Sequence, residues 1–331
     1  PVCAGSRGTV MSSALYTRRF RRLLLLAACA PITAWAEKQT AQPSAKASPT
    51  EQIQVIASHT DPIGRALTAS QGTITAKELA LRPVYRVGQL LESVPGLVVT
   101  IHSGEGKANQ YLLRGFNLDH GTDLASFVDD MPVNEPTHAH GQGYTDVNFL
   151  IPELASGIDY TKGPFYANVG DFGVVGSDHI RVTNELPGQV TGSIGTLGDQ
   201  RGFIGDTIHL KNGDPIYGAF SVEHLNGPWA HPDNFRAIKS ALHWSHKTER
   251  NEYTLMGLFY RGMWNNTTDQ PVAAHDDGLI GRYGTLDPSD GGYAERFSVS
   301  GHHVYSGDDW NLRTNLYVIH SRMTLWNNFT H

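Results

Sequence analysis

The sequence predicts a small α+β domain followed by an antiparallel transmembrane β-barrel that is incomplete in this chain. Three observations carry this expectation. The first residues read as an export signal, residues from about 188 onward alternate apolar and polar side chains, and the connections between those runs alternate between short and long. Composition agrees. In 331 residues, 26 Lys+Arg stand against 32 Asp+Glu for a net charge of −6; hydrophobic residues make up 40% and charged residues 18%, with 35 Gly and 6 Trp. Such a chain is too apolar and aromatic to be disordered and too acidic for a general nucleic-acid binder. No run of 18 apolar residues is present to make a membrane-spanning helix.

The leader comes first in the chain. Residues 1–10 precede the first methionine and read as non-native upstream sequence. Residues 11–36 read as a signal peptide: Arg18, Arg19, Arg21 and Arg22 form its basic region, Leu23 to Ala30 its apolar core, and Ala34-Trp35-Ala36 its cleavage site before Glu37. Leu26-Ala27-Ala28-Cys29 also fits a lipoprotein signal, so both kinds of cleavage stay open. Cleavage near Ala36 removes Cys3, Cys29 and five arginines; 26 basic residues less five leaves 21 against 32 acidic ones, a charge of −11. The mature chain is expected to be exported, acidic and thiol-free, without a disulfide framework or a cysteine nucleophile.

Residues 37–57 begin with a linker, Lys38 to Thr50, rich in Ala, Pro, Ser, Gln and Thr. The patch Glu51 to Ala57 that follows is β-prone. It suits either an ordinary first strand or a strand added to a partner's sheet edge.

Residues 58–187 read as a mixed domain. Thr75-Ala76-Lys77-Glu78 fits a capping box that opens a short helix at Ala76. Val87 to Val94 is expected to form a second helix, stopped by Pro95-Gly96. Strands are expected at 97–102, 111–116, 126–128, 158–162 and 180–183, separated by Gly, Asp and Pro turns. Gly104-Glu105-Gly106-Lys107-Ala108 does not make a phosphate loop, because the first glycine is misplaced and Ala108 stands where Ser or Thr would hold magnesium. No Ser/His/Asp or paired-carboxylate arrangement suggests an enzyme.

Residues 188–331 show about seven strands, at 190–197, 201–210, 216–225, 237–246, 251–263, 294–305 and 310–321. In the fifth, Tyr253, Leu255, Gly257 and Phe259 oppose Glu252, Thr254 and Met256; in the seventh, Trp310, Leu312, Leu316 and Val318 oppose Asn311, Arg313 and Asn315. Connections at 211–215, 247–250 and 306–309 are short, those at 226–236 and 264–293 long, with the short link 198–200 as the exception. Membrane barrels alternate in this way, with turns on one side and loops on the other.

Read in order, segments of residues 51–187 resemble TonB-dependent outer-membrane receptors. Leu90-Leu91-Glu92-Ser93-Val94-Pro95-Gly96-Leu97-Val98-Val99 looks like the LL…PGV.V segment of their plug domain. Leu113-Arg114-Gly115-Phe116 matches [IL]RGF, Val128-Asp129-Asp130-Met131-Pro132-Val133 matches VDGvPV, and Ile158-Asp159-Tyr160-Thr161-Lys162-Gly163-Pro164 is similar to IEV.KGP. Asp171-Phe172-Gly173 and Ile180-Arg181-Val182-Thr183 stand in the places of the closing glycine turn and last plug strand. Asp130 departs from the family glycine and Tyr160 from its usual valine. The resemblance implies that 58–187 is a plug and 188–331 the N-terminal part of a barrel of about 22 strands. With 331 less 187 leaving 144 residues for about seven strands, the chain is expected to be a fragment.

The resemblance also implies what the protein does. Ile53, Gln54, Val55, Ile56 and Ala57 sit where these receptors carry the TonB box, so the expected partners are the TonB energy-transducing complex, outer-membrane lipid and a scarce ligand. That ligand would be a ferric siderophore, cobalamin or a metal ion, taken up through the cell outer membrane without a catalytic cofactor and without nucleic acid. The alternative is a passive porin or a structural outer-membrane barrel.

Histidine narrows the site. There are 16, and Glu135 to Tyr144 holds His138-Ala139-His140 in a Gly-rich loop that the resemblance puts at the plug's apex. In an extended loop His138 and His140 project to the same side, which suits joint ligation of transported zinc or copper; chelated iron is the other cargo considered. Two histidines need a third ligand, from His120, Glu135 or a barrel loop. Arg114, His120, Glu135, His138, His140 and Tyr144 are therefore the ligand-binding candidates, with Arg114 also suited to anchoring the plug.

Overall fold

The computed structural model describes residues 65–101, 104–266 and 268–328. The segments expected to be the signal peptide, the linker and the TonB box at 53–57 lie outside them.

The N-terminal domain is built on two small sheets. Strands β1 (Arg65–Thr68) and β2 (Gln71–Thr75) form a hairpin, which the sequence reading missed, and lead into helix α1 (Ala76–Ala80). The N-cap half of the expected capping box forms: the Glu78 amide donates to the Thr75 hydroxyl at 3.3 Å. The second predicted helix is instead a tight 3₁₀ turn over Val87–Ser93. Its three-residue repeat lines Val87, Leu90 and Ser93 along one buried face, and Pro95 holds Val94 extended just beyond.

Strands β3 (Leu97–Thr100), β4 (Gln110–Leu113) and β5 (Phe116–Asn117) make the three-stranded sheet. The single strand expected over 111–116 is thus a hairpin. Its two-residue turn, Arg114-Gly115, has φ of 53° and 84°, the doubly positive pair that matches strand twist. Strands β6 (Leu124–Val128), β7 (Met131–Pro132), β8 (Ala155–Thr161) and β9 (Gly176–Val182) complete a six-stranded sheet in the order β1-β2-β8-β9-β6-β7, with β6 and β9 parallel. Leu91, Tyr111, Val128 and Ile158 meet in its solvent-free core.

The rest is one antiparallel sheet of seven strands in chain order: β10 (Gln189–Ile194), β11 (Gln200–His209), β12 (Pro215–Leu225), β13 (Phe235–Lys247), β14 (Asn251–Asn265), β15 (Gly291–Ser306) and β16 (Asn311–Trp326). All seven expected strands are present, and the last five are longer than expected. Links 210–214, 248–250 and 307–310 mark a short-turn end, while 226–234 and 266–290, which holds helix α2 (Val272–Asp276), mark a long-loop end. Link 195–199 lies at the long-loop end too. The sheet is open, with β10 and β16 as its edges.

The two faces invert the usual rule. Outward side chains are apolar and exposed: Ile204, Ile208, Phe220, Val222, Ile238, Leu242, Leu255, Phe297, Val299, Leu316 and Val318. Inward ones include buried Ser221, Lys239, His243, Arg296 and Ser298. Met256 and Leu258, on the face the sequence marks as polar, point inward and are buried. The apolar stripe in the sequence is the outer wall, as in a barrel that meets lipid outside and polar contents inside.

Candidate functional site

The N-terminal domain is fastened to the inward face at both ends. Glu153 and Arg201 of β11 form a two-pronged ion pair at 2.5 and 2.7 Å. Arg201 Nε also approaches Glu223 of β12 at 3.3 Å, and Glu223 accepts from the buried Lys239 of β13 at 2.9 Å. The chain of alternating charges therefore crosses three barrel strands and one plug turn. Arg296 of β15 lies over the Phe149 ring at 4.4 Å and donates to the Pro132 carbonyl at 3.4 Å. A planar guanidinium suits such stacking.

At the short-turn end the contact runs through Asp129-Asp130, the turn between β6 and β7. Both residues have positive φ, 43° and 64°. Asp130 reaches His179 at 3.7 Å, His302 of β15 at 3.4 Å and Arg313 of β16 at 3.8 Å. His179 foremost, then Arg313 and His302, hold the Asp130 carboxyl below the usual carboxylate range. Asp129, accepting from the Val182 amide at 2.9 Å, is pushed up by burial to about 6. These residues line a cavity of about 670 Å³ together with Arg181 and Glu252. Sequence reading noted Asp130 only as a missing glycine; its ion pairs span 49 residues and more, and no local pattern announces them.

At the long-loop end the apex loops of the plug meet the rim of the sheet. The Gly104 amide donates to the Asn266 side chain, and a Cβ on Gly104 would sit 2.7 Å from the Trp264 indole. Packing against Trp264 is the reason for glycine in the Gly104 to Ala108 run. The two long loops bond to each other through the Ala230 amide and the Tyr283 carbonyl, and the end of β14 bonds to the first of them through the Asn265 amide and the Asp233 carbonyl.

Four predicted site residues do come together here. His138 stacks on Tyr144 at 4.0 Å, His120 lies 4.7 Å from His140 and 5.6 Å from Tyr144, and His140 meets Tyr144 edge-on at 6.2 Å. Tyr144 OH accepts from the Ala108 amide at 2.8 Å. Glu135 is adjacent, bridged to Tyr144 through the backbone and accepting from Ser321 of β16 at 2.7 Å. Burial lowers the His138 pKa, favouring the neutral ring.

The expected metal geometry is not formed. His138 Nδ1 accepts from the His140 amide at 3.2 Å, and His120 is buried with Nδ1 2.8 Å from the Ala108 carbonyl. The rings stack around Tyr144 instead of converging on a point. Among the described residues no three His, Cys, Asp or Glu side chains are arranged to hold a metal ion. Arg114 is not part of this cluster; it donates to the carbonyls of Lys162 and Ala69 and to the Ser70 hydroxyl, which braces β2 against β8. Asn134, which sequence reading passed over, orders the loop: its amide contacts the Gly121, Leu124 and Gly143 carbonyls and the Thr145 hydroxyl while its oxygen accepts from Ser126.

A polar-faced open sheet against a small domain, with an apolar outer wall, is the arrangement of a plug and the first strands of a barrel. Residues 64–177 match the TonB-dependent Receptor Plug Domain family, and this part of the chain is such a plug, followed by strands of the matching barrel. The fold is similar to the ferric citrate transporter FecA in its unliganded form (TM-score 0.62, 15% identity, 78% of this chain and 41% of that one). It is also similar to the ferric yersiniabactin uptake receptor FyuA from Yersinia pestis (0.60, 16%, 77% and 41%) and the siderophore receptor PirA from Pseudomonas aeruginosa (0.54, 14%, 78% and 42%). The chain therefore spans well under half the length of these receptors. The plug family is one of receptors and not of enzymes.

Proposed function

We propose that the chain belongs to an outer-membrane receptor that imports a ferric chelate by TonB-dependent active transport. The observation that carries this reading is the plug seated on the polar face of an inside-out sheet and tied to it through Glu153, Arg201, Glu223 and Lys239. A passive pore has no use for a lumen filled in this way. The similar structures are named for ferric citrate, yersiniabactin and siderophores, which supports iron chelates as the cargo class. The stacked His120, His138, His140 and Tyr144 cluster offers ring faces and imidazole nitrogens to an organic chelate; bare zinc or copper would need converging ligands.

Energy coupling falls to residues 53–57. Val55→Pro removes a backbone donor that strand pairing with TonB would need. Uptake of radiolabelled iron citrate and catecholate chelates into cells carrying the full-length protein should cease in Val55→Pro, with surface binding of the same chelate retained. Undiminished uptake would remove 53–57 as the TonB box, and uptake of free zinc in place of every iron chelate would overturn the cargo class.

A further inference from the structure

We propose that the outer wall of the sheet carries a docking site for the phosphorylated headgroup of a membrane lipid in the leaflet on the long-loop side, built from Arg236, Arg261 and Arg322. The inference rests on the outer-membrane reading above. It starts from how the seven strands distribute their basic side chains. Arg201, Lys239, Arg296 and Arg313 face inward, each against the plug or a neighbouring carboxylate. Arg236, Arg261 and Arg322 face outward and are exposed. No other Lys or Arg faces outward within these strands.

Strand register gathers the three on adjacent rows. Arg261 pairs with Glu295, which pairs with Arg322; one row nearer the loops, Arg236 pairs with Met263, Met263 with Tyr293 and Tyr293 with Thr324. Glu295 lies between two of the arginines and accepts from Tyr293 OH at 2.5 Å, while Arg261 lies over the Tyr293 ring at 5.2 Å. One carboxylate against three guanidinium groups leaves an excess of two positive charges. A groove of about 600 Å³ opens on this wall, lined by Arg236, Met263, Tyr293, Arg322 and Trp326 among others.

The rows fall at a defined depth. On β14, Tyr253 marks the other end of the apolar stripe, and Leu255, Gly257 and Phe259 lie between it and Arg261. Eight residues at about 3.3 Å each, tilted as barrel strands are, span roughly 20 Å of membrane normal, close to the ~25 Å apolar band of such barrels. The arginines thus sit where hydrocarbon gives way to headgroups. The opposite boundary has Trp244, His246, Tyr253, His303 and Tyr305 and no outward Arg or Lys. Guanidinium forks match phosphate oxygens in pairs, and an aromatic flank fits the glycerol or sugar beside them. The asymmetry fits a leaflet whose lipids carry phosphate at that depth.

The test uses the full-length protein extracted in detergent, with native mass spectrometry as readout. The probes are a diphosphorylated glycolipid (lipid A), the same lipid with its phosphates removed, and inorganic phosphate. The parent should bind the phosphorylated lipid about tenfold or more tightly than the dephosphorylated one, and Arg236→Gln/Arg261→Gln/Arg322→Gln should lose that preference by a similar factor while retaining a folded barrel. Equal binding by parent and triple variant overturns the site, as does equal binding of the two lipids to the parent. If millimolar inorganic phosphate displaces the lipid, the site is for a small anion and the lipid proposal falls. Should the triple variant fail to fold, the parent's comparison of the two lipids decides alone. A parent that never fractionates with the membrane overturns the receptor reading as well; one that inserts and imports but ignores phosphate overturns this proposal only.

Discussion

The plug and the barrel sheet answer the same question, which side of a strand to bury, in opposite ways. In the plug, Leu91, Val128 and Ile158 are excluded from solvent and the charged residues are mostly at its surface. In the sheet, Ile204, Leu242, Leu316 and Val318 are exposed while Lys239, His243 and Arg296 are buried. Each arrangement makes sense only with its own surroundings. Apolar side chains leave water in the plug, whereas in the sheet they line a wall that costs nothing in lipid but would aggregate in water. The inward charges of the sheet are tolerable because they meet partners: buried Lys239 pairs with Glu223 of β12, half-buried Arg201 with Glu153 of the plug, and Arg296 lies against Phe149 and the Pro132 carbonyl of the plug.

One strand can test this inversion. Val299 on β15 faces outward near the middle of the apolar band, and Ser300 beside it faces inward. Val299→Arg should cost about 2–4 kcal/mol and impair insertion, as a cation at mid-membrane does, while Ser300→Arg should stay within about 1 kcal/mol. Denaturant titration of the full-length protein refolded into lipid vesicles measures both. Equal tolerance would mean that water, not lipid, bathes the outer wall.

The seam between the two regions ranks next. Glu223→Gln removes the carboxylate shared by Arg201 and Lys239 and leaves a buried ammonium without its 2.9 Å partner. Breaking such a pair from one side is costly, here about 2–3 kcal/mol given that Glu223 itself is partly exposed. The loss should fall when Lys239→Met is added, because the double variant leaves no orphaned charge. Additive losses in thermal denaturation would instead show that the two side chains act independently.

How much of this was legible follows from the range of each interaction. The seven strands were readable because alternation is local, and so was the capping at Thr75. The hairpin at Arg114-Gly115 was not, since an arginine at φ 53° breaks the rule by which turns are recognised. The sequence also showed His138, His140 and Tyr144 near one another but not their stacking; the H-x-H spacing fixes distance along the chain, and Asn134 decides how the loop folds over it. The Arg201 network joins residues 48 and 22 positions apart. Only the folded chain brings them together.

A buried acid in the plug sharpens the comparison through pH. Asp178 on β9 accepts from Ser126 at 2.6 Å, and burial pushes its carboxyl up to about 7. With the folded value raised above the unfolded 3.8, the native state holds the proton longer, so stability from this group falls as pH rises from about 4 to 7. Asp178→Asn should therefore stabilise the protein by about 1–2 kcal/mol at pH 8 and have no effect near pH 4. Thermal melts across that range check it. A benefit that persists at pH 4 would trace the gain to packing and not to ionisation.

The smallest expected effect concerns Asp130, the positive-φ residue through which plug and sheet touch at the short-turn end. Its φ of 64° belongs to glycine, the residue similar receptors are expected to carry here, and an aspartate held there costs of order 1 kcal/mol. Against that cost stand ionic contacts with His302 and Arg313 of the sheet and His179 of the plug, each at 3.4–3.8 Å and partly exposed, worth between zero and about 1 kcal/mol apiece. Asp130→Gly exchanges one for the other, so global stability should change by less than about 1 kcal/mol. Exchange between plug and wall should change more. With Asp130 gone, nothing else in the β6–β7 turn reaches His302 or Arg313 by an ionic contact, and amide hydrogen exchange should quicken in β7 and at the end of β9 while β14 and β15 stay protected. A uniform rise in exchange across the sheet would show that Asp130 supports the barrel itself, and no change in exchange would reduce its ion pairs to surface contacts.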